Sequence, residues 1–333
     1  MKVFFSNYHI SVNASMVDDL LGAGQEVIVP DSSFDQHHIK FFAGNDEHWD
    51  KPGVTKVNYE QFLALPPMAI ILNCSQMYED IERLYKARGE VDKLVLLSSQ
   101  VGLGEWLDTS SDLQFDYVIS HSLATHRSTK AKYKILYFSK PLQLVASKTP
   151  DEVRRSFENK KITLYVNHFD TAKNDGSGVT FTRERESALQ LRELWEAETG
   201  QRIPFYGYEN TDGNLSMQEA QDSMKDSMFT LCFKGHETWG QMVNESMQIG
   251  TPCIFMQDYL IDMFTEYMIT KDTAVIGKSA KDIFKQIKNM TLEQYETLCL
   301  EAQSASNMYC NSAIMRTKLA WLFSKVEHDL IML

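Results

Sequence analysis

Short apolar runs alternate along the chain with longer stretches whose apolar positions recur at helical spacing, the signature of strands alternating with helices. In the first part of the chain, residues 2–5, 26–30, 68–73, 93–98, 117–120 and 135–138 have strand character, and residues 78–88 and 122–132 have helical spacing. Between the first two runs, Asn13 to Gly24 reads as a helix capped by Asn13 and closed by Gly24, with Met16, Val17, Leu20 and Leu21 on its apolar stripe. Strands joined through a helix run parallel with a right-handed crossover, so the series to about residue 140 predicts one doubly wound domain. Residues 31–53 interrupt it. They form a polar stretch with His37, His38 and His48, in which no regular element is expected and no spacing fits a metal motif.

A charged stretch with Pro141 and Pro150, at 139–160, separates this series from a second one. There, strand character at 162–167, 203–208, 228–233, near Cys253 and at 274–276 alternates with helical spacing at 183–200, 216–227 and 238–249. The tail from Thr291 onward reads as helical throughout, with Leu319, Leu322, Phe323 and Val326 on one face. The expected organisation is an N-terminal α/β domain over 1–150, a C-terminal α/β domain over 151–311 and a last helix over 312–333. That helix either packs back across the interdomain seam or covers its own domain.

Composition narrows the function classes. Hydrophobic residues make up 43% and charged residues 23%, so the chain should fold throughout. The net charge of -12, from 33 basic and 45 acidic residues, disfavours a general nucleic-acid or anionic-membrane surface. The densest basic stretch, Arg127, Lys130, Lys132 and Lys134, reads as a solvated helix end. The 5 cysteines include no C-x-x-C pair and sit largely in apolar runs, which suits free thiols in a reducing, cytoplasmic setting. The first ten residues turn polar too soon for a signal peptide, and no apolar run approaches the ~18 residues that span a bilayer. After the first strand stands Ser6-Asn7-Tyr8-His9 with no G-x-G-x-x-G, and no P-loop occurs anywhere.

The chemistry concentrates in residues 228–254, where a buried-type strand runs into the polar turn Lys234-Gly235-His236-Glu237-Thr238-Trp239-Gly240 and then a helix that Gly250 stops. Ligands of parallel sheets bind beyond the carboxyl ends of the strands, and a helix N-terminus with Lys234 beside it suits a phosphate. Glu237 and Glu245 suit neutral hydroxyls, for which a carboxylate is a strong acceptor. A ligand with phosphate at its centre and polyol at both ends fits both, and a nucleotide sugar is such a molecule. Each residue alone also has an ordinary structural reading: solvated glutamates, turn-forming glycines, Trp239 as a core anchor. Their conjunction reads as a site.

Here the sequence resembles the GT-B-fold glycosyltransferases, in particular retaining enzymes of glycosyltransferase family 4 that carry two glutamates separated by seven residues. The pattern stands as Glu237-Thr-Trp-Gly240, Glu245-Ser246 and Gly250-Thr-Pro252. The resemblance implies an α/β chain of two Rossmann-like doubly wound domains facing a cleft, with C-terminal helices. It implies a hexosyltransferase that moves a sugar from a nucleotide-sugar donor to a hydroxyl acceptor, with Glu237 facing the sugar, Thr238, Trp239 and Gly240 at the diphosphate and Glu245 at the ribose. No cofactor is implied beyond the nucleotide sugar as co-substrate. Metal-dependent enzymes of the other main fold need D-x-D, a triplet this chain lacks, so a metal-independent site is expected.

The chain departs from the family in two places. An Arg and Lys pair usual after the first strand of the second domain is replaced by Asn167-His168-Phe169-Asp170-Thr171-Ala172-Lys173, leaving Lys173, with Arg183 or Arg185 as substitutes. The usual glycine-rich turn after the first strand is also missing, which leaves Asn7, Tyr8 and His9 on the acceptor side. An inverting course would need a base there, with His9, Glu105 and His121 as candidates. Trp49 and Trp106 could stack on an acceptor sugar or be buried. The acceptor expected is a saccharide, a lipid-linked or a small molecule, with DNA disfavoured by charge. A nucleotide-sugar epimerase of the same plan and a non-catalytic nucleotide or sugar binder are the competing readings.

Overall fold

The computed structural model describes residues 1–6, 10–39, 49–73, 78–92, 94–99, 113–120, 134–137, 146–167, 169, 182–233, 241–262, 268–310 and 312–331. They form two compact units, one of Met1–Gln143 with Asn311–Leu333, the other of Leu144–Cys310. No described helix is long and apolar enough to cross a membrane.

The first unit is a seven-stranded parallel sheet of β1 (Lys2–Phe5), β2 (Glu26–Pro30), β3 (Val54–Val57), β4 (Ala69–Asn73), β5 (Leu94–Ser99), β6 (Tyr117–Ser120) and β7 (Lys134–Tyr137), in the order β3-β2-β1-β4-β5-β6-β7. Alternation along each strand divides the core between two faces. Val3, Phe5, Val27, Val29, Ala69, Ile71 and Leu96 pack with Met16, Val17 and Leu20 of α1 (Ile10–Gly22). Phe4, Ile28, Ile70, Leu72 and Leu97 pack on the other face with Phe62 of α2 (Tyr59–Ala64) and Ile81 and Leu84 of α3 (Tyr78–Arg88). Burial on both faces is why these strands read as continuous apolar runs. The last helix, α10 (Ser312–Ile331), belongs to this unit and adds Met315, Leu319, Leu322 and Phe323 to the α1 face. There the Arg316 Nε donates to Asp19 at 2.9 Å, and burial pushes the Asp19 carboxyl up to about 6 in spite of that partner.

The second unit is a five-stranded parallel sheet of β8 (Ile162–Tyr165), β9 (Phe205–Tyr206), β10 (Phe229–Leu231), β11 (Cys253–Met256) and β12 (Ala274–Gly277), in the order β12-β11-β10-β8-β9. Its helices are α4 (Pro150–Asn159), α5 (Thr182–Thr199), α6 (Met217–Asp226), α7 (Gln241–Ile249), α8 (Ala280–Lys288) and α9 (Leu292–Tyr309). α5 packs with α8, while α4, α6, α7 and α9 pack with one another.

Several expectations are corrected. Asn13 lies inside α1, which starts at Ile10; an Asn within a helix costs only a few tenths of a kcal/mol to about 0.7, so a cap-type residue does not fix a boundary. The polar stretch 31–53 contains a 3-10 helix, Ser32–His37, anchored by buried Phe34 and capped by Asp31, whose carboxylate accepts from Ser33 N at 2.8 Å. The stretch 139–160 holds α4, opened by a Thr149 and Glu152 capping box with Pro150 at its first position. β9 is shorter than 203–208 and is flanked by Pro204 and by Gly207, whose φ is +141°. The helical tail divides into α9, ending at Tyr309, and α10, which starts at Ser312 where the last helix is expected. β3, α2 and α8 were not anticipated.

Lys148 ties the start of the second unit to its interior. Its amide donates to Ile249 O at 2.8 Å, and its ammonium donates to Ser227 O at 2.6 Å and Ser156 Oγ at 3.1 Å. The stem is partly exposed while the ammonium is enclosed, and burial pushes its pKa down to about 8. The folded chain therefore holds this proton less tightly than the unfolded chain, whose lysine titrates near 10.4. The resulting penalty is full below pH 8 and relieved as pH rises from 8 toward 10.4, at up to about 1.4 kcal/mol per pH unit. Burial raises Cys299 to about 11 and also raises Tyr295, which opposes that gain above about pH 9 in both wild type and variant. The stability difference between wild type and Lys148→Met, from denaturation at pH 7 to 10, should shift in favour of wild type as pH rises; a constant difference would contradict it.

Candidate functional site

The strand order of the second unit has one topological switch. From β8 the chain moves through α5 to β9 on one side, and from β10 it moves through α7 to β11 on the other. With both crossovers right-handed, α5 and α7 fall on opposite faces. β8 and β10 are neighbours, with Leu164 opposite Leu231, so their carboxyl ends flank the point where an open α/β sheet leaves a crevice for a ligand. The connection after β8 carries Lys173 and leads to Arg183, and the connection after β10 carries Lys234 to Gly240.

Beyond β10, Cys232 and Phe233 remain buried, and Cys232 N donates to Ile254 O at 2.9 Å. Lys234, Glu237, Thr238, Trp239 and Gly240 lie outside the described residues, as do Lys173, His168 and, in the first unit, His9, Glu105, Trp106 and His121. The chain resumes as α7, which is buried from Val243 to Ile249 although it carries Asn244, Glu245, Ser246 and Gln248. Glu245 is 7% exposed, a carboxylate enclosed in the helix that follows the switch-point strand.

The end of α7 explains the Gly250-Thr-Pro252 signature. Gly250 has φ +88°, a left-handed conformation that glycine adopts without cost, and its amide donates to Met247 O at 3.0 Å. Thr251 Oγ1 then donates to Met224 O of α6 at 2.8 Å, and Ser246 Oγ is hydrogen-bonded to Thr230 Oγ1 at 2.6 Å and Thr251 O at 2.8 Å. Pro252 O accepts from Thr230 N at 3.1 Å. These bonds fix α7, and with it Glu245, against β10 and α6.

The end of β8 is held in a similar way. Asn167 Oδ1 accepts from Tyr208 N at 2.9 Å, and Asn210 Nδ2 donates to Val166 O at 2.6 Å. A Cβ at Gly207 would stand 2.6 Å from Val166 O, so only glycine permits this approach. Arg183, in the first turn of α5, is exposed and donates to Asp258 Oδ2 at 2.5 Å. Asp258 opens the 3-10 helix Gln257–Asp262 that follows β11. Arg185 Nε is enclosed and has no hydrogen-bond partner among the described residues. Trp49 is a core residue of the first unit, 1% exposed, and therefore does not stack on a sugar. Asp258 was not anticipated from sequence, because nothing in its surroundings marks it before the strand order is known.

No protein-family model matches the chain, and no curated protein matches it. Solved structures do. TarM superposes with a TM-score of 0.67 at 8% identity, covering 96% of this chain and 98% of its own. HepE from Anabaena, in complex with UDP-glucose, gives 0.63 at 10% identity, over 98% of this chain and 100% of its own. AviGT4, a glycosyltransferase involved in avilamycin A biosynthesis, gives 0.56 at 11% identity, over 100% and 98%. At these identities the likeness is one of fold: two Rossmann-like parallel-sheet units, the GT-B architecture.

Proposed function

We propose that the protein is a glycosyltransferase that moves a hexose from a nucleotide-sugar donor to a hydroxyl acceptor, without a metal and with retention of configuration. The observation that carries this reading is the switch point of the second unit. Of the two connections that leave it, the one after β10 leads through Glu237 to Glu245, the residues of the E-x7-E pattern, and the one after β8 carries Lys173, the remaining candidate for the diphosphate. Fold neighbours that include a UDP-glucose complex and a glycosyltransferase support it.

In this reading Glu245, enclosed and therefore a strong acceptor, takes the ribose hydroxyls, and Glu237 faces the sugar. Lys234, with Lys173 and Arg183, offsets the diphosphate charge, aided by amides of 238–240. The C1–O bond to phosphate breaks and its electron pair leaves with the diphosphate. The acceptor oxygen bonds C1 from the same face, and its proton passes to the departing phosphate oxygen. Fixed positive groups at that oxygen supply most of the stabilisation. His9 belongs to the acceptor side. A saccharide, a lipid-linked or a small molecule is the acceptor proposed, since the -12 charge disfavours DNA. The described cysteines Cys232, Cys253, Cys299 and Cys310 are buried free thiols, which suits a cytoplasmic setting.

Incubating the full chain with a panel of nucleotide sugars, with and without acceptors, and following products by mass spectrometry tests the proposal. Consumption of one donor with release of nucleoside diphosphate is expected. Interconversion at the sugar would replace the reading by an epimerase, and thermal stabilisation without turnover by a binding protein. The absence of both turnover and stabilisation with every donor of the panel would overturn it.

A further inference from the structure

The Arg183 and Asp258 pair has a place in the sheet that an ordinary surface ion pair lacks. Arg183 stands in the first turn after the β8 connection, Asp258 in the first turn after β11, and β10 lies between those two strands. The 2.5 Å contact therefore joins the segments that follow the two neighbours of β10, the strand whose connection carries Lys234 to Gly240. More than half of each side chain is exposed, at 68% and 56%. A pair so solvated contributes little to stability, and an incoming anion can displace the carboxylate.

We infer that Asp258 is a positioning residue that holds Arg183 as a stand-in anion and yields it to the diphosphate of the donor. The inference rests on the donor site proposed above. Because the carboxylate competes with the diphosphate for one guanidinium, it weakens donor binding.

Calorimetric titration of the full chain with UDP, UDP-glucose and uridine tests this, using wild type, Asp258→Asn, Arg183→Ala and the double variant. Asp258→Asn should bind UDP about two- to fivefold more tightly, the range an exposed pair can contribute. Arg183→Ala should bind it roughly tenfold or more weakly, as for a lost charge-assisted hydrogen bond. The Asp258→Asn effect should vanish in the double variant, and uridine affinity should stay unchanged in all four. Unchanged or weakened UDP binding in Asp258→Asn, or an effect that persists without Arg183, would overturn the inference while leaving the donor site standing. If the wild type binds none of UDP, UDP-glucose or any donor of the panel, the proposed function itself fails, and the inference with it.

Discussion

Replacing Arg88 by leucine is expected to destabilise the first unit by about 3–5 kcal/mol, the loss that follows when one partner of a buried ion pair is removed. Arg88 closes α3 and its side chain is 3% exposed; the Asp92 carboxylate beside it is fully buried. The Arg88 Nη1 donates to the carbonyls of Phe62, Leu63 and Leu65 at 2.9, 3.1 and 2.6 Å, and Nη2 donates to Pro66 O at 3.1 Å and Asp92 Oδ1 at 2.7 Å. One guanidinium thus satisfies the end of α2 and the turn after it. Asp92 Oδ1 in turn accepts from Met68 N at 3.2 Å, at the entry to β4. Without Arg88 a carboxylate and several carbonyls would be buried with too few donors, and single domains are stable by only about 5–15 kcal/mol. Lysine cannot replace the fork, since its point-like ammonium cannot reach the same carbonyls together. Denaturant unfolding of the full chain, followed by a probe in the first unit, checks this. Arg88→Lys should recover little, and Arg88→Leu with Asp92→Leu should recover part by removing both charges. A loss below about 1 kcal/mol for Arg88→Leu would show that the network is not what holds α2 in place.

Most strands of both sheets were legible because each is buried on two faces, so Phe4 and its neighbours Val3 and Phe5 are all apolar whichever face they serve. The same reasoning fails where an element has a single anchor. The 3-10 helix at Ser32–His37 depends on Phe34, and β3 is a short edge strand whose Val54, Thr55 and Lys56 keep some exposure. α4 was hidden by Pro150 and the charged residues after it, although Pro150 in the first turn after Thr149 is a helix start. The apolar face of the last helix was visible as Leu319, Leu322 and Phe323, but its destination depends on packing with α1, whose residues are about 300 positions earlier. In the candidate site, Glu245 and the Gly250 stop were readable because they follow local helix rules. Asp258 was not, since it stands 75 residues from Arg183 in sequence and only the order β11-β10-β8 brings the two together.

In the proposed donor site the connection after β10 forms the reacting half, with Glu237 at the sugar and Glu245 at the nucleotide. The two glutamates should therefore fail differently. A group that acts on the sugar as the bond breaks lowers kcat, whereas a group that only holds the nucleotide raises KM. The most direct test is Glu237→Ala assayed on the donor that the wild type consumes, with UDP or the matching nucleoside diphosphate titrated in parallel. A fall in kcat of about 100- to 1000-fold is expected, the scale for losing one preorganised electrostatic contact in an active site, with nucleotide affinity nearly unchanged. A variant that turns over donor at the wild-type rate would contradict it.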